Sequence, residues 1–407
     1  MTRLIALLLF SFSNVALAAP QALPAAPQGT PVVHSRAELE LQMASGKTPL
    51  DALTPYGKRT FLSALAWGEK GLGGLSTTAL VRELSAQQIG DLLRFLDSAG
   101  YIDMLTRELH DSAPLRFPEP GADVDRRSQA FHQAYEADAR RRQDSAGPGT
   151  ELGAAALVAR YLAEFQTRMQ PDALAASGLG DLPLLFDAAS LANFAGTDPV
   201  TLHDMQAVYR ELSRRHVDTR RTFDRTMLNA LLAGRRFDEA RAFAAAHPGA
   251  LQGAIPQVAD RLGAGFRGRS VYDFDIGSNT LTRTAAPPPA GIQVVMVVDA
   301  GCHFSANALQ VIASDPGLLE RLRGANLLLV TPPRQAIQFA FIANWNATHP
   351  QLPMRVPFSA EEWSDIDVAG VPVFFILENG RVREKITGWP ESGQKEELLR
   401  ALGTPAR

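Results

Sequence analysis

Cys302 is the only cysteine of the 407-residue chain, and it lies within the polar run from Asp299 to Ser305. The apolar run 294–298 directly before it predicts a buried strand, and a helix is expected to begin at His303. A thiol at a helix N-terminus faces unpaired backbone N–H groups and the positive end of the helix dipole, which favour the thiolate. Since the thiolate is the nucleophilic form of cysteine, the sequence predicts thiol chemistry at this strand-to-helix junction.

Two neighbours of Cys302 are candidates for tuning its sulfur. His303 adds positive charge or a hydrogen bond when it is protonated, although an exposed residue at the start of a helix is an equally good interpretation. Ser305 follows Cys302 by three positions, about one helical turn, so its hydroxyl is placed to donate to the thiolate. The candidate catalytic residues are therefore Cys302, Ser305 and His303.

A second motif follows Gly370 and is carried by Val371-Pro372, which leads into the apolar strand 372–377, with Gly388-Trp389 further on. The strand, the C-x-x-S helix start, the Val-Pro dipeptide and the Gly-Trp pair occur in the order found in thioredoxin-like proteins. The C-terminal part of the chain therefore resembles the thioredoxin-like fold superfamily, in a monothiol C-x-x-S variant. The resemblance implies a cis peptide bond between Val371 and Pro372 that faces the sulfur, in a loop that pairs with the extended backbone of a protein substrate.

The chain departs from the redox-active members of that superfamily at three positions. Ser305 replaces the second cysteine, Gly301 replaces the usual tryptophan before the first, and Met296 stands where thioredoxin buries an aspartate. Serine cannot attack a mixed disulfide, so a bond formed at Cys302 would last until an outside thiol resolved it. These departures favour a monothiol exchange factor, a disulfide-retention protein of the C-x-F-S type or an isomerase-like subunit over a net oxidant or a dithiol reductase.

The rest of the sequence predicts an α + α/β protein, an irregular helical bundle or short α-solenoid followed by the thioredoxin-like α/β domain. Thr54-Pro55 and the pair Ser85 and Gln88 are typical helix starts. The segment 219–248 resembles one tetratricopeptide helix-turn-helix unit, with no clear second copy. The expected organisation is a signal peptide at 1–18, a flexible leader at 19–34, a helical domain at 35–265 with a break near 143–150, a β-hairpin and proline-rich connector at 270–289, and the thioredoxin-like domain at 290–407.

Within the C-terminal domain the pattern predicts an alternation of strands and helices. The expected elements are strand 292–298, helix 303–313, strand 327–330, a helix near 334–346, strands 372–377 and 381–387, and helix 392–402. The segment 332–365 is an insertion in which no assignment is made for 354–356. Its aromatic residues, Phe339, Phe341, Trp345 and Trp363, either cover a groove beside Cys302 or form a small core, and we favour the core.

Composition and the N-terminus narrow the functional class. The net charge of -3 gives no basic surplus for binding nucleic acid. Arg3, the apolar run 4–12 and the small residues Ala16 and Ala18 are typical of a secretory signal peptide, which predicts a periplasmic location. No later apolar run is long enough to span a membrane. The histidines show no metal-ligand spacing, so we expect neither a metal nor another cofactor.

Three functions stay open at this point. The first is disulfide exchange with a partner protein through Cys302, with the Val371-Pro372 loop docking the partner and the helical domain serving recognition or dimerisation. The second is a non-catalytic thioredoxin-fold scaffold that binds another envelope protein through its helical domain. The third is a thiol peroxidase that forms a sulfenic acid, although Asp299 occupies the place of the threonine that such a site uses.

Overall fold

The structure is a computed structural model that describes residues 32–403 apart from 69–70, 108, 110–111, 145–150, 252, 367, 369 and 391. The expected signal peptide, nearly all of the leader and most of the break near 143–150 lie outside these described residues. Within them the chain begins with helices and ends with a large mixed sheet. The predicted α + α/β class is confirmed.

The first part of the described chain, residues 32–115, has its own apolar core, separate from the rest. Its elements are α1 (Arg36–Ser45), α2 (Pro55–Ala64), the antiparallel pair β1 (Ala66–Gly68) and β2 (Gly71–Gly74), α3 (Thr78–Glu83), α4 (Ala86–Phe95) and α5 (Ile102–Thr106). Thr54 caps α2 by accepting from Gly57 N, and Ser85 with Gln88 forms the predicted capping box on α4. The helix starts at Pro55 and Ala86 are therefore set by local sequence.

Larger helices form the second part and share a core with the sheet that follows. They are α6 (Ala122–Asp144), α7 (Glu151–Phe165), α8 (Pro171–Ala176), α9 (Asp181–Gly196), α10 (Pro199–Arg214), α11 (Phe223–Ala233) and α12 (Phe237–Ala246). The predicted helix-turn-helix unit at 219–248 corresponds to α11 and α12, with a short 3-10 turn at Thr219–Arg221 before them.

Two buried arginines join the first part to the second. The Arg82 guanidinium donates to both carboxylate oxygens of Asp187 at 3.0 and 2.9 Å and lies over the ring of Phe223. Arg221 runs in the opposite direction and donates to the carbonyls of Val81 and Ser112, each at 2.6 Å, and also to that of Leu84. Since the two parts have separate apolar cores, these polar contacts carry much of their connection.

An eight-stranded sheet forms the C-terminal part, in the order β10-β9-β6-β7-β8-β4-β5-β3. Its elements are β3 (Gln257–Asp260), β4 (Ser270–Asp275), β5 (Thr280–Ala285), β6 (Ile292–Val297), α13 (His303–Ser314), α14 (Pro316–Gly324), β7 (Leu328–Val330), α15 (Phe339–Thr348), β8 (Met354–Pro357), β9 (Val373–Glu378), β10 (Arg381–Thr387) and α16 (Lys395–Leu402).

Strand direction within this sheet gives the C-terminal part a thioredoxin-like fold. Strands β6, β7 and β8 are parallel, and β9 is antiparallel to both β6 and β10. Helices α13 and α14 form the crossover from β6 to β7, as a parallel pair requires. The predicted strands and helices of this part are all present, within a few residues of the expected bounds.

Both faces of the central strands are covered. Alternate residues of β6 point to opposite sides: Val294 and Met296 join the core shared with the helices, while Val295 and Val297 join a second cluster that contains Trp363. Phe339 and Trp345 belong to the core shared with the helices, Trp363 belongs to the second cluster, and Phe341 is half-buried against the first. The insertion aromatics are therefore part of the two main cores and do not form a small core of their own.

Four strands lie where the sequence pattern did not place them. Strand β8 occupies the segment 354–357 that had no assignment, because it completes the parallel set beside β7. Strand β3 lies inside the range expected to be helical and pairs with β5. The β1–β2 pair lies there too, in a glycine-rich stretch that disfavours helix. The predicted hairpin, β4 with β5, pairs through β4 with β8 and so extends the same sheet.

Candidate functional site

Cys302 lies at the carboxyl end of β6, where the chain turns into α13. Its backbone is extended, and its carbonyl accepts the first helical hydrogen bond from Ala306 N at 3.0 Å. Its own N–H donates to the carbonyl of Asp299 at 3.2 Å, which closes the turn between strand and helix. The side chain is half-buried. Cys302 therefore occupies the N-cap position of α13, which begins at His303 as the sequence predicts.

The sulfur contacts the loop before β9, which is distant in the chain. Cys302 Sγ donates to the carbonyl of Val371 at 3.1 Å, and the peptide bond between Val371 and Pro372 is cis. The contact follows from the sheet, because β6 and β9 are neighbours that pair Val297 with Val373. The structure thus brings together Cys302, Val371 and Pro372, three of the five residues singled out from the sequence.

Ser305 faces away from the sulfur in this structure. Its side chain is fully buried, and its hydroxyl oxygen accepts from Asp299 N at 3.4 Å. Among the described residues no hydrogen bond joins it to Cys302. The hydroxyl instead pairs with a backbone donor in the turn that follows β6. A role for Ser305 at the thiolate stays a prediction.

His303 lies on the exposed side of α13. Its Nε2 is 3.1 Å from Asn307 Nδ2, one turn along the helix, and its ring lies edge-on to that of Phe304. Phe304 itself is 47% exposed, which is unusual for a large apolar side chain directly after a candidate site. His303 is thus placed within the N-terminal turn but has no contact with the sulfur. Its predicted tuning role is also untested.

Asp299 is a member of the site that sequence reasoning noted without giving it a role. Its Oδ1 accepts from Gly301 N at 2.8 Å and from Gln338 Nε2 at 3.3 Å. Burial raises the pKa of Asp299, and the two hydrogen bonds oppose that shift in part. The acid lies three residues before the thiol, whereas Met296 is a core residue without exposure. An Asp two residues before a Gly in a tight turn was the available signal, but the sequence gives no sign of its hydrogen bond with Gln338 from another element.

Gln338 directly precedes α15 and is the last residue of the loop that follows β7. The side chain is only 6% exposed. Its amide nitrogen binds Asp299, while Oε1 lacks a hydrogen-bond partner. Gln338 therefore connects the 331–338 loop to the turn that carries Cys302.

The described residues contain no cluster of three or more His, Cys, Asp or Glu side chains placed to hold a metal ion. Nor does any helix among them have the length and apolarity needed to cross a bilayer.

No protein-family model matches the chain, and no curated protein matches it. Among solved structures it is similar to an uncharacterized thioredoxin-like protein from Porphyromonas gingivalis, at 15% identity over 34% of this chain and 90% of that one, with a TM-score of 0.26. It is also similar to the C-terminal domain of an uncharacterized protein from Bacteroides fragilis, at 14% identity over 34% of this chain and 97% of that one, with a TM-score of 0.23.

A thioredoxin-like protein from Bacteroides caccae matches over more of the chain, 61% of this one and 93% of that one, at 13% identity and a TM-score of 0.23. Similarity at this level carries no weight of its own. The thioredoxin-like fold of the C-terminal part rests on the order and direction of β10, β9, β6 and β7 and on the position of Cys302 beside Pro372.

Proposed function

We propose that this protein exchanges disulfides with a partner protein through Cys302, outside the cytoplasm. The observation that carries the proposal is the position of a half-buried thiol at the first turn of α13, 3.1 Å from the carbonyl of Val371 beside Pro372. Two features support the proposal: a helix N-terminus favours an anion, and the loop at Pro372 lies beside the sulfur, where an extended peptide would dock.

The reaction needs no cofactor. The Cys302 thiolate attacks one sulfur of a disulfide in the partner, a new S–S bond forms between them, and the partner's second sulfur leaves as a thiolate. The number of disulfide bonds is unchanged, so no outside oxidant is required. Because the chain has no second cysteine, an outside thiol must attack the mixed disulfide to release the partner.

Each part of the site has a role in this proposal. Helix α13 stabilises the thiolate through its free N–H groups. In the resting state the Val371 carbonyl accepts a hydrogen bond from the Cys302 thiol. Once the thiol loses its proton, this carbonyl can accept a hydrogen bond from the partner's backbone. His303 and Ser305 are proposed to act on the anion, although neither contacts the resting thiol. The helical part would provide partner recognition or dimerisation.

The test uses the full-length protein and a Cys302→Ser control. Mass spectrometry of envelope extracts should identify proteins linked to Cys302 and released by reductant, all absent with the control. The absence of any captured partner would remove the proposal.

Location is part of the proposal and has its own test. The signal-peptide pattern at residues 1–18 predicts cleavage after Ala18, so the secreted protein should begin at Ala19. N-terminal mass analysis of the protein from fractionated cells measures this directly. An intact Met1 in the cytoplasmic fraction would contradict it.

A non-catalytic scaffold is the second candidate, and one observation favours it. The Cys302 thiol donates to the carbonyl of Val371, and the Ser305 hydroxyl accepts from Asp299 N instead of contacting the sulfur. A hydrogen bond donated by the thiol favours its neutral, unreactive form. In that case Cys302→Ser would leave both partner pull-down and cell phenotype unchanged, whereas the exchange proposal predicts loss of both.

A further inference from the structure

Arg235 is an unusual residue in the turn between α11 and α12. Its φ of 57° lies in the left-handed region, which glycine adopts far more readily than arginine. The preceding residue is Gly234, yet the left-handed conformation is adopted by Arg235 and not by the glycine. A non-glycine residue in such a conformation is held there by what surrounds it, which draws attention to the contacts of the Arg235 side chain.

The guanidinium of Arg235 reaches from the helical part into the C-terminal part. It donates to the carbonyls of Pro333 and Gln335, each at 3.0 Å, and to that of Pro357 at 3.1 Å. Two further bonds go to its own turn, at Leu232 and Ala233. Its hydrogen-bond acceptors are thus backbone carbonyls, and burial lowers the pKa of Arg235 to about 10.

Pro333 and Gln335 belong to the loop that ends at Gln338. Next along this path, the Gln338 amide donates to Asp299 Oδ1, which also accepts from Gly301 N. The carbonyl of Asp299 in turn accepts from Cys302 N. A continuous series of hydrogen bonds and one short loop therefore connects Arg235 to the turn that presents the thiol.

We propose that Arg235 is a positioning residue for Cys302, through which the helical part of the protein sets the geometry of the thiol site. By fixing the 331–338 loop, it holds Gln338 against Asp299 and keeps the Asp299–Cys302 turn closed. This inference deepens the proposed disulfide exchange by naming how the helical part acts on the site.

The experiment measures the alkylation rate of Cys302 by iodoacetamide in the folded full-length protein. Arg235→Met is expected to accelerate alkylation of the half-buried thiol by about threefold or more, since the turn opens more often. The matched control is Arg215→Met, because Arg215 also donates to three carbonyls, those of Leu174, Ala175 and Ser177, all within the helical part. That control should alkylate at the wild-type rate.

A double-mutant cycle separates positioning from general destabilisation. Gln338→Leu should accelerate alkylation as Arg235→Met does, and the double variant should be no faster than the faster single variant, because both act on one path. If Arg235→Met fails to fold, Arg235→Lys replaces it, with an effect in the same direction.

Equal rates for the Arg235 and Arg215 variants, or effects of Arg235 and Gln338 that multiply, would overturn the proposal. These outcomes are independent of partner capture, because iodoacetamide reports on the turn even if Cys302 has no disulfide partner. Failure of the disulfide-exchange proposal would appear instead as an absence of captured proteins with the alkylation pattern intact.

Discussion

Replacement of Arg221 by methionine is expected to loosen the N-terminal helices from the rest of the protein. The guanidinium donates to three carbonyls of the first part, at Val81, Leu84 and Ser112, and the residue is only 6% exposed. Methionine retains much of the apolar stem but leaves those carbonyls without their donor. The core of residues 33–109 is separate from the larger one, so its own helices should stay folded.

The size of the effect follows from the number of bonds lost. A hydrogen bond to a charged donor contributes about 1.5–3 kcal/mol, so three contribute roughly 4.5 kcal/mol at the lower end. Burial lowers the pKa of Arg221, which means that the cation is desolvated and that its removal returns part of this energy. The expected net loss in the free energy of docking is about 3 kcal/mol.

Hydrogen exchange resolved by segment is the appropriate assay, because it separates local opening from global unfolding. Protection should fall in the interface segments around 81–84 and 112–115, with the sheet unchanged. Arg220→Met is the matched control, since the Arg220 guanidinium is exposed and pairs with Asp218 across a surface turn. If both variants exchange alike, buried carbonyl contacts at Arg221 are not what joins the two parts.

Three further predictions concern single side chains. Gly57→Ala should destabilise the fold, despite the usual helix preference for alanine, because its Cβ would lie 2.4 Å from the buried Glu83 carboxylate; Gly324→Ala, which meets nothing within 4 Å, should be neutral or stabilising in urea denaturation. Burial raises the pKa of Asp299, so its contribution to stability is fully present below about pH 3.9 and is lost as the pH rises through its folded pKa. Asp299→Asn should therefore gain stability relative to wild type as the pH rises above about 4, and a constant difference in denaturation midpoint would contradict this. Trp363→Ala should cost about 3–5 kcal/mol, because the ring is 1% exposed in the core, and a loss below about 1 kcal/mol would show that this core repacks.

Features that depend on local sequence were predictable. Thr54-Pro55 and Ser85 with Gln88 define helix starts through contacts within four residues, and both starts occur where expected. The apolar run 294–298 predicts a strand buried on both faces, which β6 is. The approach of Cys302 to Val371 was inferred from resemblance rather than from spacing, since strand pairing across the sheet brings them together.

Features that depend on contacts between distant segments were not predictable. Met354–Pro357 is a short segment of mixed composition, and it forms a strand through backbone pairing with β7 on one side and β4 on the other. Asp299 has the sequence context of an ordinary turn residue, and its hydrogen bond with Gln338 joins two segments that are distant in the chain. Ser305 lies one helical turn from Cys302 in sequence, but its hydroxyl accepts a hydrogen bond from the backbone N–H of Asp299 instead. In each case the deciding partner lies on another element or on the far side of the turn.

The shared core has a practical consequence for dissecting this protein. The three prolines at 287–289 look like a natural place to cut, yet Phe237 of α12 packs edge-on against Tyr272 of β4, and both belong to the core that includes Met296. A fragment beginning after those prolines would keep the thiol. Its sheet would lack β3, β4 and β5, and it would also lack the helices α6 to α12 that share the core with the sheet. Such a fragment should aggregate when expressed alone, and co-expression with residues 32–286 as a separate chain should restore its solubility.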